Sequence, residues 1–158
     1  MTLKMENINK DLLAPCGLYC GACAIFIAHR DNNEKFKKAL LPVYKMFAKS
    51  IDDIACTGCL SEGIVFPVCQ SCPIKKCTNK RELEGCFECD DWPCKYITNF
   101  PIQKAKNVMM RTIPTWREMG TQKFVELEEE RYRCPECGNQ LFRGVRKCNK
   151  CDTTVELD

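Results

Sequence analysis

At 158 residues the chain has room for one domain with at most a small appendage. Its net charge of +3 is too small to argue for nucleic acid by itself, and no apolar run approaches the roughly 18 residues of a membrane helix. Hydrophobic residues make up 45%, but fifteen cysteines inflate that figure and aromatics supply only 9%.

The opening, MTLKMENINKDLLAPC, lacks the apolar core of a secretory signal. This predicts a cytoplasmic protein, where thiols are kept reduced and dense CxxC pairs read as metal sites rather than disulfides. The odd cysteine count and the presence of Met1 argue the same way.

The first recognisable unit is Cys16-Gly-Leu-Tyr-Cys20-Gly-Ala-Cys23. If a helix starts at Cys20, then Cys20 and Cys23 share a face and Cys16 reaches in from the preceding loop, so three thiolates can converge on one ion. His29, the only histidine, falls on the opposite side of that helix and reads as a solvent-facing side chain near its end. Asp31 and Glu34 have capping-box spacing for the next helix. Phe36, Leu40, Val43 and Phe47 follow as one apolar stripe, which predicts core, with an interruption at Pro42.

Eight cysteines fall between Cys56 and Cys94. Large apolar side chains are few in this belt, and ordering costs about 1–2 kcal/mol per residue, so metal cross-links are expected to replace hydrocarbon burial. Cys56/Cys59 and Cys69/Cys72 are CxxC knuckles, followed by Cys77, Cys86/Cys89 and Cys94. Cys69–Cys72–Cys77 and Cys86–Cys89–Cys94 repeat the spacing C-x2-C-x4-C, and the PIKKCTNKRELEG stretch between them has room for one or two helical turns. Asp52-Asp53 and Asp90-Asp91 read as caps or solvated turns.

Pro101 suits the first turn of a helix that carries Ile102, Ala105, Met109 and Ile113 on one face. Thr115 with Glu118 has capping-box spacing, Gly120 is a stop, and Thr121 caps a final helix with Phe124 and Leu127 inward. Glu129 stands four residues before Arg133, and the acidic run Glu128–Glu130 reads as a solvated face.

The tail, CPECGNQLFRGVRKCNKC, is the sharpest signal. Cys134/Cys137 and Cys148/Cys151 are two knuckles, each followed by Gly or Asp, and the segments around Gly144 read as a short hairpin. The pattern predicts a β zinc ribbon, too small to fold without its ion. The expected architecture is therefore small α+β: a mostly helical, metal-stapled body over 1–130 and a zinc ribbon over 131–158.

Removing the tail's four cysteines leaves eleven, one short of three closed tetrahedral sites. One partition groups Cys56, Cys59, Cys69 and Cys72, then Cys77, Cys86, Cys89 and Cys94, leaving Cys16, Cys20 and Cys23 incomplete. Another lends a belt cysteine such as Cys94 to the opening trio. Zinc is the expected metal, with an iron–sulfur cluster in the body as the alternative, since thiolates hold both. The C-x3-C-x2-C spacing of the opening resembles the cluster loop of radical S-adenosylmethionine enzymes, but no βα alternation accompanies it.

The CGLYCGAC opening, the paired cysteines ending in Trp92-Pro93-Cys94 and the C-terminal CPxCG element together resemble an uncharacterised prokaryotic family of small cysteine-rich proteins. The resemblance implies zinc binding and no established activity. Ala24 stands where that family often has Pro, which favours a helix there. One His, no GxSxG and no HExxH provide no nucleophile–base pair, so an interaction module bound to a protein partner is expected rather than an enzyme. Nucleic acid is the minor alternative, through Arg131, Arg133, Arg143, Arg146, Lys147 and Lys150 with Tyr132 and Phe142 interleaved.

Overall fold

A computed structural model describes residues 8–157. Residues 1–7, part of the opening read for a secretory signal, and Asp158 lie outside it. Helices α1 (Ala24–Arg30), α2 (Glu34–Leu40), α3 (Pro67–Gln70), α4 (Pro73–Lys80), α5 (Lys95–Thr98) and α6 (Gln103–Arg131) follow one another, with 3-10 turns at Lys10–Leu12, Cys20–Ala22, Ile51–Asp53 and Cys86–Glu88.

Long as it is, α6 is not one rod. Gly120 adopts φ 81° and ψ 169°, a region open essentially to glycine alone, and the chain folds back there. Arg111 and Glu128 would stand about 25 Å apart on a straight helix. Instead they pair at 2.6 Å. Trp116 stacks between Phe87 and Phe124, at centroid distances of 4.3 and 4.6 Å, and its indole N–H donates to Thr121 Oγ1 at 2.9 Å. Gly120 is thus the expected stop, whereas Thr121 receives the indole of Trp116. No new helix starts at Thr115, and Pro114 is accommodated on an exposed side of the first segment.

This hairpin carries the main core. Met109, Ile113, Trp116, Phe124 and Val125 bury against Leu12, Leu13, Tyr19, Ile74 and Ile97. The belt is poor in hydrocarbon, but α6 and the opening segment supply the interior around which it wraps. Ile102, expected on the inner face, is 57% exposed. The acidic run is not a solvated face: Glu128 is buried against Arg111, and Glu129 accepts from the Tyr19 hydroxyl at 2.6 Å rather than facing Arg133.

A second core joins α1 and α2 to Ala48, Ile54, Cys56 and Phe66. Asn33, not Asp31, caps α2 by accepting from the Phe36 N–H, while Asp31 pairs with Arg30. The helix ends before Pro42, so the apolar stripe is only half core: Leu40 is buried, Val43 is 72% exposed.

The tail is a third small core formed by Ala22, Tyr132, Cys134, Leu141, Cys148 and Val155. It is not a β ribbon. Among the described residues there is no strand, only isolated bridges Arg133↔Gln140 and Lys147↔Thr154. Each bridge closes the loop around one knuckle rather than joining two. The segment expected to pair as a hairpin is drawn onto the body instead: the Arg143 N–H donates to the Ala22 carbonyl at 2.8 Å, and Phe142 packs 5.0 Å from Phe36. With the Arg143 N–H on Ala22 and the Leu141 N–H on the Tyr132 carbonyl, two donors that a ladder between the knuckles would use are engaged elsewhere.

Candidate metal centre

Cys134, Cys137, Cys148 and Cys151 bring their sulfurs within 4.8 Å of one another, an arrangement that can hold a metal ion. Cys134 and Cys151 lie 3.5 Å apart and Cys137 and Cys148 3.6 Å. Four thiolates bound at about 2.3 Å around a tetrahedral ion would stand about 3.8 Å apart. The local sequence explains the convergence. Gly138 and Asp152, just after each knuckle, take positive φ of 71° and 62°. That left-handed step lets their N–H groups return to the carbonyls of Cys134 and Cys148, both at 2.9 Å, so two short loops of the same shape face each other.

Electrostatics favour a cation there. Desolvation raises Cys148, but N–H groups of Cys151 and Lys150 and the thiols of Cys137 and Cys134 bring it down to about 6. An N–H from Asn139 lowers Cys137, yet desolvation and the thiols of Cys148, Cys151 and Cys134 push it up to about 11. Ionisation is thus eased at Cys148 and opposed at Cys137 within one cluster. A dication removes that asymmetry.

Among the described residues no other set of three or more candidate ligands meets the same spacing. The opening trio does not reach that spacing, yet it is not dispersed: Cys23 is the leading thiol acting on Cys20, and Cys20 acts on Cys16. Cys20 begins a 3-10 turn, but Cys23 is extended (φ −82°, ψ 127°) and precedes α1, which starts at Ala24. Cys16 and Cys20 turn into the main core with Cys59 and Cys86, while Cys23 packs on the second core with Cys56. Cys56 lies on the second core, Cys59 and Cys72 on the main one. Desolvation pushes Cys59 up to about 12, with Cys16, Cys69 and Cys72 adding to it, and pushes Cys69 to the same level, with Cys23, Cys56 and Cys72 adding. Cys20 is raised by burial and accepts the Cys59 N–H at 3.4 Å.

The last belt group stays together. Cys77, Cys86, Cys89 and Cys94 line one cavity of about 190 Å³. Desolvation pushes Cys86 up to about 12, with Cys89, Cys94, Cys77 and Cys72 adding to it. Arg117 of α6 holds this knuckle, donating to the carbonyls of Phe87 and Cys89 at 2.9 Å. Arg81 Nη1 donates to Cys89 Sγ at 2.9 Å. Neither arginine was anticipated from sequence, although Arg81 stands one helical turn after Cys77, a spacing that puts both on one side of α4 and its C-cap.

His29 is half-buried rather than solvent-facing, with Nδ1 buried and unpartnered. Asp53 is a cap, accepting from the N–H groups of Lys49 and Ser50. In the basic tail, Arg143 Nη2 donates to the Tyr19 carbonyl and Tyr132 is buried, so those two side chains serve the docking of the tail onto the body.

Among the described residues no helix is long and apolar enough to cross a membrane. Neither a curated protein nor a solved structure matches the chain. Residues 12–99 match DUF3795, a protein family of unknown function, so the match takes in the opening motif and the whole belt and stops short of the tail. With more than half of its length inside that match, the chain belongs to DUF3795, carrying beyond it a separate four-cysteine cluster.

Proposed function

We propose that the chain is a cytoplasmic zinc protein whose tail ion is structural and whose role is interaction with a protein partner rather than catalysis. The observation that carries the reading is the convergence of Cys134, Cys137, Cys148 and Cys151 within 4.8 Å. Four thiolates with no open position suit a closed structural zinc site. The tail's own core holds only six buried residues, and two of those are the ligands Cys134 and Cys148. Zinc binding worth about 10–16 kcal/mol would dominate its stability.

An interaction role is supported by the exposure of Val43 (72%), Met46 (86%) and Phe47 (45%), clustered after α2, with Phe47 against the edge of Phe66. Exposed apolar side chains grouped in this way are a usual mark of a contact surface.

Zinc per chain, measured after anaerobic purification, tests the site. Cys137→Ser and Cys151→Ser, both at exposed positions, are each expected to bind one zinc fewer than the parent, with α-helical circular dichroism retained. An unchanged zinc count in both variants would refute the assignment.

A further inference from the structure

The cavity beside α4 differs in kind from the tail cluster. A single tetrahedral ion draws four sulfurs to about 3.8 Å from one another and leaves no void. Cys77, Cys86, Cys89 and Cys94 instead stand around about 190 Å³ of space. No three of them meet the spacing that the tail achieves. Trp92 also lines this cavity, and its indole N–H is buried without a hydrogen-bond partner. A buried, unpaired donor costs about 1–3 kcal/mol, so an acceptor is expected beside it. Protein supplies none.

We propose that Cys77, Cys86, Cys89 and Cys94 hold an iron–sulfur cluster whose inorganic core fills the cavity. Four cysteine thiolates are the ligand set of both the two-iron and the four-iron forms. Bridging sulfides are acceptors of the kind a buried indole N–H lacks, and N–H donors to cluster sulfur are one means of tuning such centres. Arg81, already on Cys89 Sγ, places a cation beside the negative charge that four thiolates contribute. Taking up a preformed thiolate-ligated cluster exchanges four iron–sulfur bonds to the donor's thiolates for four to the protein; each departing thiolate takes the proton of the cysteine that replaces it, and no electron is transferred. Arg117 braces the Cys86/Cys89 knuckle from the α6 hairpin, so the ligand frame rests on hydrocarbon packing and can exist before the cluster arrives.

The inference rests on the thiolate-metal reading above but concerns a different site, and the two can fail separately. The full chain is purified without oxygen, mixed with a preformed iron–sulfur cluster held by small-molecule thiolates, desalted, and then assayed for iron, acid-labile sulfide, zinc and visible absorption. The parent is expected to be brown and to carry iron and sulfide in equal amounts, with tail zinc retained. Cys77→Ala and Cys94→Ala, both at half-buried positions, are expected to lose the iron and sulfide while keeping that zinc, which reports that the chain is still folded. Cys137→Ser is expected to keep all the iron and lose one zinc. A colourless parent free of sulfide, with or without an extra zinc, would overturn the cluster and leave the tail site standing. Iron content unchanged in both alanine variants would overturn it as well.

Discussion

Gly17, in the opening motif, has φ +90°, and a Cβ there would meet Thr112 Oγ1, which is fully buried in α6. The motif needs glycine at this position because backbone and helix touch. Gly17→Ala should therefore cost about 3 kcal/mol, through both the left-handed conformation and the collision. Gly138→Ala, at φ +71° with nothing within 4 Å of the added carbon, should cost only about 1 kcal/mol. Chemical denaturation separates the two; equal losses would mean that the close approach is unimportant. At Asp53, N–H groups of Lys49 and Ser50 hold the carboxyl below its ordinary value. A depressed carboxylate contributes stability above its unfolded pKa of about 4, and that contribution disappears as pH falls through the lower folded value. The gap in urea midpoint between the parent and Asp53→Asn should therefore narrow on acidification below about pH 4. Loss of metal in acid affects both proteins alike, so a gap independent of pH would contradict the charged cap.

At the scale of elements, the α6 hairpin is the piece on which the ligand frames depend. Its turn is set by Gly120, its inner face by Trp116 and Phe124, and its far end by the bidentate pair of Arg111 with Glu128. Glu128 is 2% exposed, whereas Arg111 keeps about a third of its side chain in water. Arg111→Ala removes the bidentate partner of a buried carboxylate, which should destabilise the chain by about 3 kcal/mol, the low end for such pairs. Combining Arg111→Met with Glu128→Leu should recover most of that loss. Thermal melts of the single and double variants decide; a double variant as unstable as the single one would mean that the pair itself is needed for the fold. This hairpin lies beyond the residues that match the family, yet it supplies Arg117 to the knuckle at Cys86 and Cys89.

For the molecule as a whole, the two kinds of stabilisation are segregated. The body buries Trp116, Phe124, Met109, Ile113 and Ile97 almost completely, while the tail has four cysteines and very little hydrocarbon. Removing metal with a chelator under reducing conditions should therefore disorder residues 132–157 first, leaving the α6 hairpin helical. Amide exchange should show protection lost in the tail and retained around Met109 and Phe124. Uniform loss would restore the view, suggested by composition alone, that metal replaces the interior throughout.

The tail's four-cysteine cluster was legible in the sequence because a knuckle is a local structure. Two CxxC pairs, each followed by a residue that accepts positive φ, bring four sulfurs together without help from the rest of the chain. The interruption at Pro42 and the break at Gly120 were legible for the same reason, since each depends on one residue's backbone; the first helix was legible too, but it starts at Ala24 rather than Cys20 because Cys23 is extended. The hairpin expected around Gly144 was not, because the Arg143 N–H has two possible acceptors and only the docked body decides between them. Nor could spacing show that Cys16 faces Cys72 and Cys86 while Cys23 acts on Cys69 as well as on Cys20. Sequence by itself determined that this protein is rich in paired cysteines and that its last four converge. Tertiary structure decided which of the other eleven face one another, because their grouping depends on contacts between segments far apart in the chain, which local spacing does not encode.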